Sequence, residues 1–426
     1  MCARRPALGY FDYPGLAPWL IALSTSLAGH STLGVRLLTI ACGAGAAWMV
    51  FLAARRLFDE RSARLAGTLA AWLPLFLRHG GFATPDAPLL FFWSAAFWAL
   101  AVVFSGGPRG YWLLAGLFTG LAMDAKYQAI FLPLGALAFL AASPDHRGWL
   151  RRRDPYLAAL VALAAFSPTL IWNLSHGLQS FAYQGVSRFT EGGFRAKELV
   201  DFPVSQLLWL TPAVALLAWH AGGRTLARWR TSPWPDRLCA ALGMPILLFF
   251  AAVLFVRPVR GHWAAPAYVT LVALAAATSW RRPLVWTARA AAVALVLAIV
   301  VLPFLPRERV TGWERLAAEV GKRRPDFVIG REYHLASQLG YHLRPLPAVE
   351  FTALGEPSKA FPHWWDGEAF RGKSAVVVSD RKHAARDRAL VEARFERVGP
   401  DEEVRVRRFG EVEDFVLLRA VGYRPP

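Results

Sequence analysis

Hydrophobic and polar positions divide the chain near residue 305. Before that point long apolar runs alternate with short polar ones. Ten apolar spans are predicted, at 37–54, 64–78, 87–104, 111–123, 128–142, 156–172, 203–220, 238–256, 264–280 and 285–305. A helix crossing a bilayer needs about 20 apolar residues, so several of these are short. Tyr111, Trp112, Tyr127, Trp172, Trp263 and Trp280 sit at span ends, where interfacial aromatic belts form. Residues 14–29 are apolar on one side and interrupted by Ser24, Thr25 and Ser26. They read as a helix lying in the outer interface. After 305 the pattern changes. TGWERLAAEVGKRR (311–324) predicts an amphipathic helix, DFVIG and SAVVVSD buried strands, and DRALVEARFERVG a second helix. EVRVRRF and DFVLLRAV predict alternating strands. Pro303 and Pro306 mark the hinge. The fold class is then a polytopic α-helical membrane protein with a small C-terminal extracytoplasmic α/β domain. Residues 1–36 form an outer loop with the interfacial helix, 37–305 the transmembrane domain, and 306–426 the soluble domain.

Composition agrees with that division. Of 426 residues 55% are apolar and 18% charged, against about 45–50% and about 25% in ordinary soluble domains. This excludes a soluble enzyme, a disordered chain and a DNA-binding protein. The net charge of +18 is concentrated in residues 1–305, which carry +15 of it. The positive-inside rule produces such an excess without nucleic acid. Arg55, Arg56, Arg61, Arg64, Arg109, Arg147, Arg151, Arg152, Arg153, Arg224, Arg228, Arg230, Arg237, Arg281 and Arg282 fall in one alternating set of loops, predicted to be cytoplasmic. Residues 1–36, 79–86, 124–127, 173–202, 257–263 and those after 305 then lie outside. On this topology the chain starts outside, yet Met1–Gly9 is basic and has no apolar signal core. The expectation is that a membrane helix precedes Met1. Cys2, Cys42 and Cys239 are too few for a disulfide scaffold or a cysteine zinc module.

Ionisable groups at membrane depth are costly and so point to function. The outer acids are Asp12, Asp86, Asp124, Glu191, Glu198 and Asp201. The outer cations include Lys126 in a tight turn, Arg188 in the long loop, and Arg257, Arg260 and His262 in RPVRGHW. Carboxylates and cations at one membrane face suit a substrate with a phosphate head and a lipid tail. The cations hold the phosphate, and a carboxylate takes a proton or orients a metal. Plain structural roles remain open for each: Asp86 as a helix cap after Thr84-Pro85, Lys126 snorkelling beside Asp124, Asp12 as a turn residue before Pro14, and His262 as the holder of an interfacial hydrogen bond. No His or Cys pair has metal-ligand spacing, and a divalent metal stays an option only. No P-loop, dinucleotide-binding glycine fingerprint or serine elbow is present.

The chain resembles glycosyltransferase family 39, which includes protein O-mannosyltransferases, and the related aminoarabinose transferases acting on lipid A. The resemblance rests on GYFDYPGLAPWLIAL (9–23), GVRLLTI (34–40), ARRLFDERSARLAG (54–67), ATPDAPLLFFW (83–93), GLAMDAKYQAIFLPLG (120–135), SPTLIWNLSHG (167–177) and HWAAPAY (262–268), in that order. It implies a GT-C fold in a bacterial inner membrane, with the C-terminal domain periplasmic or extracellular. It also implies transfer of a hexosyl or pentosyl group from a polyprenyl-phosphate donor to an extracytoplasmic lipid A, protein or glycan acceptor. Position by position it implies catalytic roles for Asp86 and Asp12. Lys126 would contact the lipid phosphate, with substrate contacts from Tyr10, Tyr127, Arg257, Arg260 and His262. The family's Asp-Glu pair of the first outer loop has no counterpart here, and Tyr13 stands where the family has His or Lys. Other readings of the same features are a transporter or flippase for lipid-linked sugars and a catalytically inactive homologue.

Overall fold

A computed structural model describes residues 2–187, 193–278, 312–356, 365–408 and 411–426, with short pieces of helix between 285 and 297. The predicted span 285–305 falls largely outside the described residues, as do Trp280, Arg281, Arg282, Arg188, Glu191, Pro303 and Pro306. The chain forms two compact units, Cys2–Val296 and Leu297–Pro426.

The first unit is helical. Among the described residues, four helices are long and apolar enough to cross a bilayer: Thr32–Leu57, Asp86–Phe104, Asp154–Ser175 and Trp234–Val253. Ser31 caps the first, its hydroxyl accepting from Gly34 N at 2.9 Å. Of the most apolar stretch of Asp86–Phe104, 83% is buried inside the protein, against 33% for Thr32–Leu57 and Asp154–Ser175. The 86–104 helix is therefore the hub, with Trp93 and Phe97 fully buried. The other two turn apolar faces outward, as membrane helices do.

Two expectations need correction. Residues 203–220 are not one span. Glu198–Leu210 and Pro212–Ala227 are separate helices bent by 108°. Pro212 has no N–H to continue the first helix, and Thr211 adopts a left-handed φ of 66° between them. The 64–78 span is likewise two helices, Glu60–Trp72 and Pro74–Gly81, divided by Pro74. Residues 14–29 form a helix, Leu16–Ala28, as expected, and its hydroxyls bond to carbonyls. Thr25 donates to Ile21 O at 2.9 Å and Ser26 to Leu23 O at 2.8 Å, while Ser24 reaches across to Gly34 O.

The second unit is an α/β fold on a five-stranded sheet. Its strands are β1 (Phe327–Gly330), β2 (Ala348–Glu350), β3 (Ala375–Asp380), β4 (Phe395–Arg408) and β5 (Glu411–Tyr423), in the order β2-β1-β3-β5-β4. β2, β1 and β3 are parallel; β5 and β4 form an antiparallel hairpin against β3. Alternation along β1 sends Phe327 and Ile329 to one core, with Val391 of the helix Ala384–Arg394. Val328 faces the other core, with Leu316 and Leu339. The predicted helix at DRALVEARFERVG ends at Arg394, because Phe395 opens β4 opposite Tyr423. The helix Tyr333–His342 and the short β2 were not anticipated.

Candidate functional site

Asp86 and Lys126 are 40 residues apart, and the fold brings them together. Pro85 starts the hub helix with no side-chain cap bond, and Asp86 occupies its first turn. Helix Tyr111–Ala125 ends at Lys126, whose extended backbone (φ −161°, ψ 135°) turns the chain into a short 3-10 segment, Tyr127–Ile130. Lys126 Nζ donates to Asp86 Oδ1 at 2.7 Å. The carboxylate side chain is 7% exposed and the ammonium 19%. Asp86 is thus an ion-pair partner and not a helix cap, and Lys126 meets Asp86 and not Asp124. The pair is nearly out of water, so its two charges act on each other and on any third charge more strongly than surface charges would.

Two imidazoles complete the cluster. His79, in the last turn of Pro74–Gly81, is 1% exposed. Its Nδ1 lies 4.0 Å from Asp86 Oδ2, and neither ring nitrogen has a hydrogen-bond partner among the described residues. His262 stands 5.8 Å from His79, ring centre to ring centre. Arg78 lies over Trp209 at 5.0 Å and over Phe82 at 5.8 Å, adding fixed positive charge beside the cluster. His79 and Arg78 were missed from sequence. Their signal is the pair Arg78-His79 in LFLRHGG, at the junction of the predicted span 64–78 and the outer loop 79–86.

A second layer holds Lys126 in place. Thr169 donates to the Asp124 carboxylate, and Asn173 Nδ2 donates to the Tyr127 hydroxyl at 3.3 Å. Tyr127 also pairs with Ser180 Oγ at 2.7 Å, and Phe181 N donates to Asn173 Oδ1 at 3.1 Å. The residues on either side of Lys126 are therefore tied to the Asp154–Ser175 helix and to the start of the long outer loop.

The remaining candidates lie elsewhere. Tyr10 is 3% exposed; its hydroxyl donates to Arg5 O at 2.9 Å or Cys2 O at 3.1 Å and accepts from Ala7 N. Burial pushes this phenol up to about 12. Its polar tip faces the N-terminal turn. The Asp12 carbonyl accepts from Gln184, joining the first loop to the Tyr183–Ser187 segment. Arg257 lies over Trp263 at 5.8 Å. Arg260 lines a cavity of about 350 Å³ beside Glu198 and Asp201. Among the described residues, no group of three or more His, Cys, Asp or Glu could hold a metal ion.

His262 belongs to the turn Gly261–Ala264, outside the predicted spans. Burial lowers its imidazole from 6.5 to about 4, with Asp86 opposing the shift. Folded, it takes a proton only near pH 4; unfolded, near 6.5. Its contribution to stability is thus complete above about pH 6.5 and falls as the pH drops toward 4, by about 3 kcal/mol. Melting curves of the detergent-purified protein should show this slope, and His262→Gln should flatten it. An unchanged slope in the variant would refute the assignment.

Residues 12–172 match the family described as dolichyl-phosphate-mannose-protein mannosyltransferase. The lipid A galacturonosyltransferase RgtD of Rhizobium johnstonii is 28% identical over 271 residues, 63% of this chain and 56% of that protein. The undecaprenyl phosphate-alpha-4-amino-4-deoxy-L-arabinose arabinosyl transferase of Pseudomonas aeruginosa is 32% identical over 177 residues, 39% of this chain and 31% of that protein. The alignments thus take in 56% and 31% of these curated relatives' own lengths. Among solved structures, ArnT from Cupriavidus metallidurans bound to undecaprenyl phosphate superposes with a TM-score of 0.63 at 17% identity. The match covers 96% of this chain and 88% of that one. The resemblance read from the motifs is therefore shown: residues 12–172 match the dolichyl-phosphate-mannose-protein mannosyltransferase family, and the chain has the GT-C membrane fold of ArnT.

Proposed function

We propose that this chain is an integral membrane glycosyltransferase that moves a sugar from a polyprenyl-phosphate carrier to an extracytoplasmic acceptor. The acceptor class is lipid A or another glycan, or a protein. The observation that carries the reading is the buried Asp86–Lys126 pair beside two imidazoles, at one end of the hub helix. On this reading the chain is multi-pass in the bacterial inner membrane, with about ten helices. The Asp86–Lys126 end and the domain 306–426 lie on the periplasmic side.

The chemistry is a single displacement. A carboxylate takes the proton of the acceptor hydroxyl, and that oxygen bonds to the anomeric carbon as the carbon–phosphate oxygen bond breaks. The electron pair leaves on the phosphate oxygen, through an oxocarbenium-like state as in glycoside hydrolysis. Lys126, already held by Asp86, faces the negative charge that grows on the departing phosphate. Asp86 keeps the ammonium charged and aimed. His262 stays neutral and can donate one hydrogen bond.

The test is transfer in proteoliposomes, using polyprenyl-phosphate donors carrying labelled sugars and an envelope extract as acceptor. Label should appear on the acceptor with release of polyprenyl phosphate. Movement of intact lipid-linked sugar across the bilayer without cleavage would instead identify a flippase and overturn the enzymatic reading.

A further inference from the structure

A cavity of about 350 Å³ lies between the Glu198–Leu210 helix and the loop 258–261, lined among others by Glu198, Asp201, Ser205, Val259, Arg260 and Gly261. This is the lower end of the size range of small-molecule sites, right for one sugar or one phospholipid head. Its walls carry opposite charges that do not meet. Among the described residues, the side chains of Glu198 and Arg260 make no ion pair with each other or with another group. Asp201 pairs with Lys197, at 3.4 Å and at side-chain exposures of 47% and 80%. Such a surface pair contributes about 0–1 kcal/mol and yields easily to a better partner.

The scaffold, not mutual attraction, fixes where these charges stand. Gln206 Nε2 donates to Gly261 O at 2.9 Å, and buried Val259 anchors the loop. A Cβ on Gly261 would lie 2.2 Å from Ser205 Oγ, so loop and helix touch there. Gln206 is 1% exposed, and its Oε1 has no hydrogen-bond partner among the described residues. Gln206 stands behind the cavity wall and fixes the loop through its amide nitrogen.

We infer that this cavity is a subsite for a zwitterionic head group, its ammonium held by Glu198 and Asp201 and its anionic oxygens by Arg260. A uronic acid or a bare phosphate would satisfy Arg260 and be repelled by the two carboxylates. A neutral sugar would leave both charges unmatched. The group could come from an amino sugar phosphate or from a phosphoethanolamine lipid head. Gly261, in the cavity wall, is followed in the chain by His262, whose ring stands 5.8 Å from that of His79. The inference rests on the glycosyltransferase reading for its purpose but not for its test.

That test is binding to the full-length protein in detergent, by calorimetry. Glucosamine 1-phosphate and O-phosphoethanolamine are the zwitterions, with inorganic phosphate and ethanolamine as single-charge controls. At least one zwitterion should bind about tenfold or more tightly than either control. Glu198→Gln and Arg260→Gln should each raise its Kd about tenfold or more, with unchanged melting temperatures. Preference for glucosamine 1-phosphate assigns a sugar, and preference for O-phosphoethanolamine a lipid head. Phosphate binding as tightly as the zwitterions, no saturation at millimolar concentrations, or a silent Glu198→Gln would each overturn the inference. Zwitterion binding by a protein that transfers no sugar would overturn the enzymatic reading alone.

Discussion

Lys126→Met should lower sugar transfer by about 10²–10³-fold, the loss typical of removing one preorganised donor to a developing negative charge. The variant should also be less stable. It leaves the 7%-exposed Asp86 carboxylate without its 2.7 Å partner, and an uncompensated buried charge costs about 3–5 kcal/mol. These two effects separate in the double variant Asp86→Asn/Lys126→Met. Removing both charges should return much of the stability, because no buried charge is then left unpaired. Transfer should stay low, because no cation faces the phosphate. Lys126→Arg keeps the charge with a different shape and should retain part of the activity. Recovery of transfer in the double variant would show that Lys126 serves folding only. The readouts are labelled-sugar transfer in proteoliposomes and melting temperature in detergent.

Much of this site was legible one residue at a time. Asp86 and Lys126 stood out because charged groups in apolar surroundings are rare. Their pairing was not legible, since nothing local links positions 40 apart; the packing of the hub helix makes the contact. His79 carries the same signal as Asp86 and lies in the same predicted outer loop, 79–86, yet a lone histidine there has no local pattern that marks it. The break at Thr211 was visible as a Thr-Pro step inside 203–220. An averaged apolar pattern hides such a step, and only a residue-by-residue reading of proline exposes it. In the α/β unit the strands with strong alternation or continuous Val runs were placed correctly. The helix Tyr333–His342 was missed although Leu335, Ala336, Leu339 and Gly340 recur at helical spacing and are buried. DRALVEARFERVG was read as one helix because Phe395 fits either period. Its pairing with Tyr423 of β5 decides for strand. In each miss a long-range partner settled what local pattern left open.

The position of Lys126 depends on how closely its helix approaches the next. Gly116 and Gly120 lie one helical turn apart on Tyr111–Ala125 and face Asp154–Ser175. A Cβ at Gly116 would fall 2.2 Å from Ala158 O, and one at Gly120 2.3 Å from Ala162 O and 2.7 Å from Ala165 Cβ. The obstructing atoms are mainly backbone and cannot rotate away. This is the small-residue contact by which membrane helices pack without a hydrophobic drive. Gly120→Leu should therefore separate the two helices. The expected loss is about 3 kcal/mol or more, at the upper end of overpacking effects. Separation would also pull Thr169 and Asn173 away from Asp124 and Tyr127, the ties on either side of Lys126. Transfer should then fall even in the fraction that remains folded. Gly223→Ala is the matched control. That glycine is also within a helix, Pro212–Ala227, but nothing lies within 4 Å of its Cβ position. Alanine there should leave transfer intact and raise stability by up to about 1 kcal/mol, the helix preference of alanine over glycine. A Gly120→Leu protein that melts and transfers like wild type would mean that these helices do not meet at the 116–120 face. The positioning of Lys126 would then need another origin.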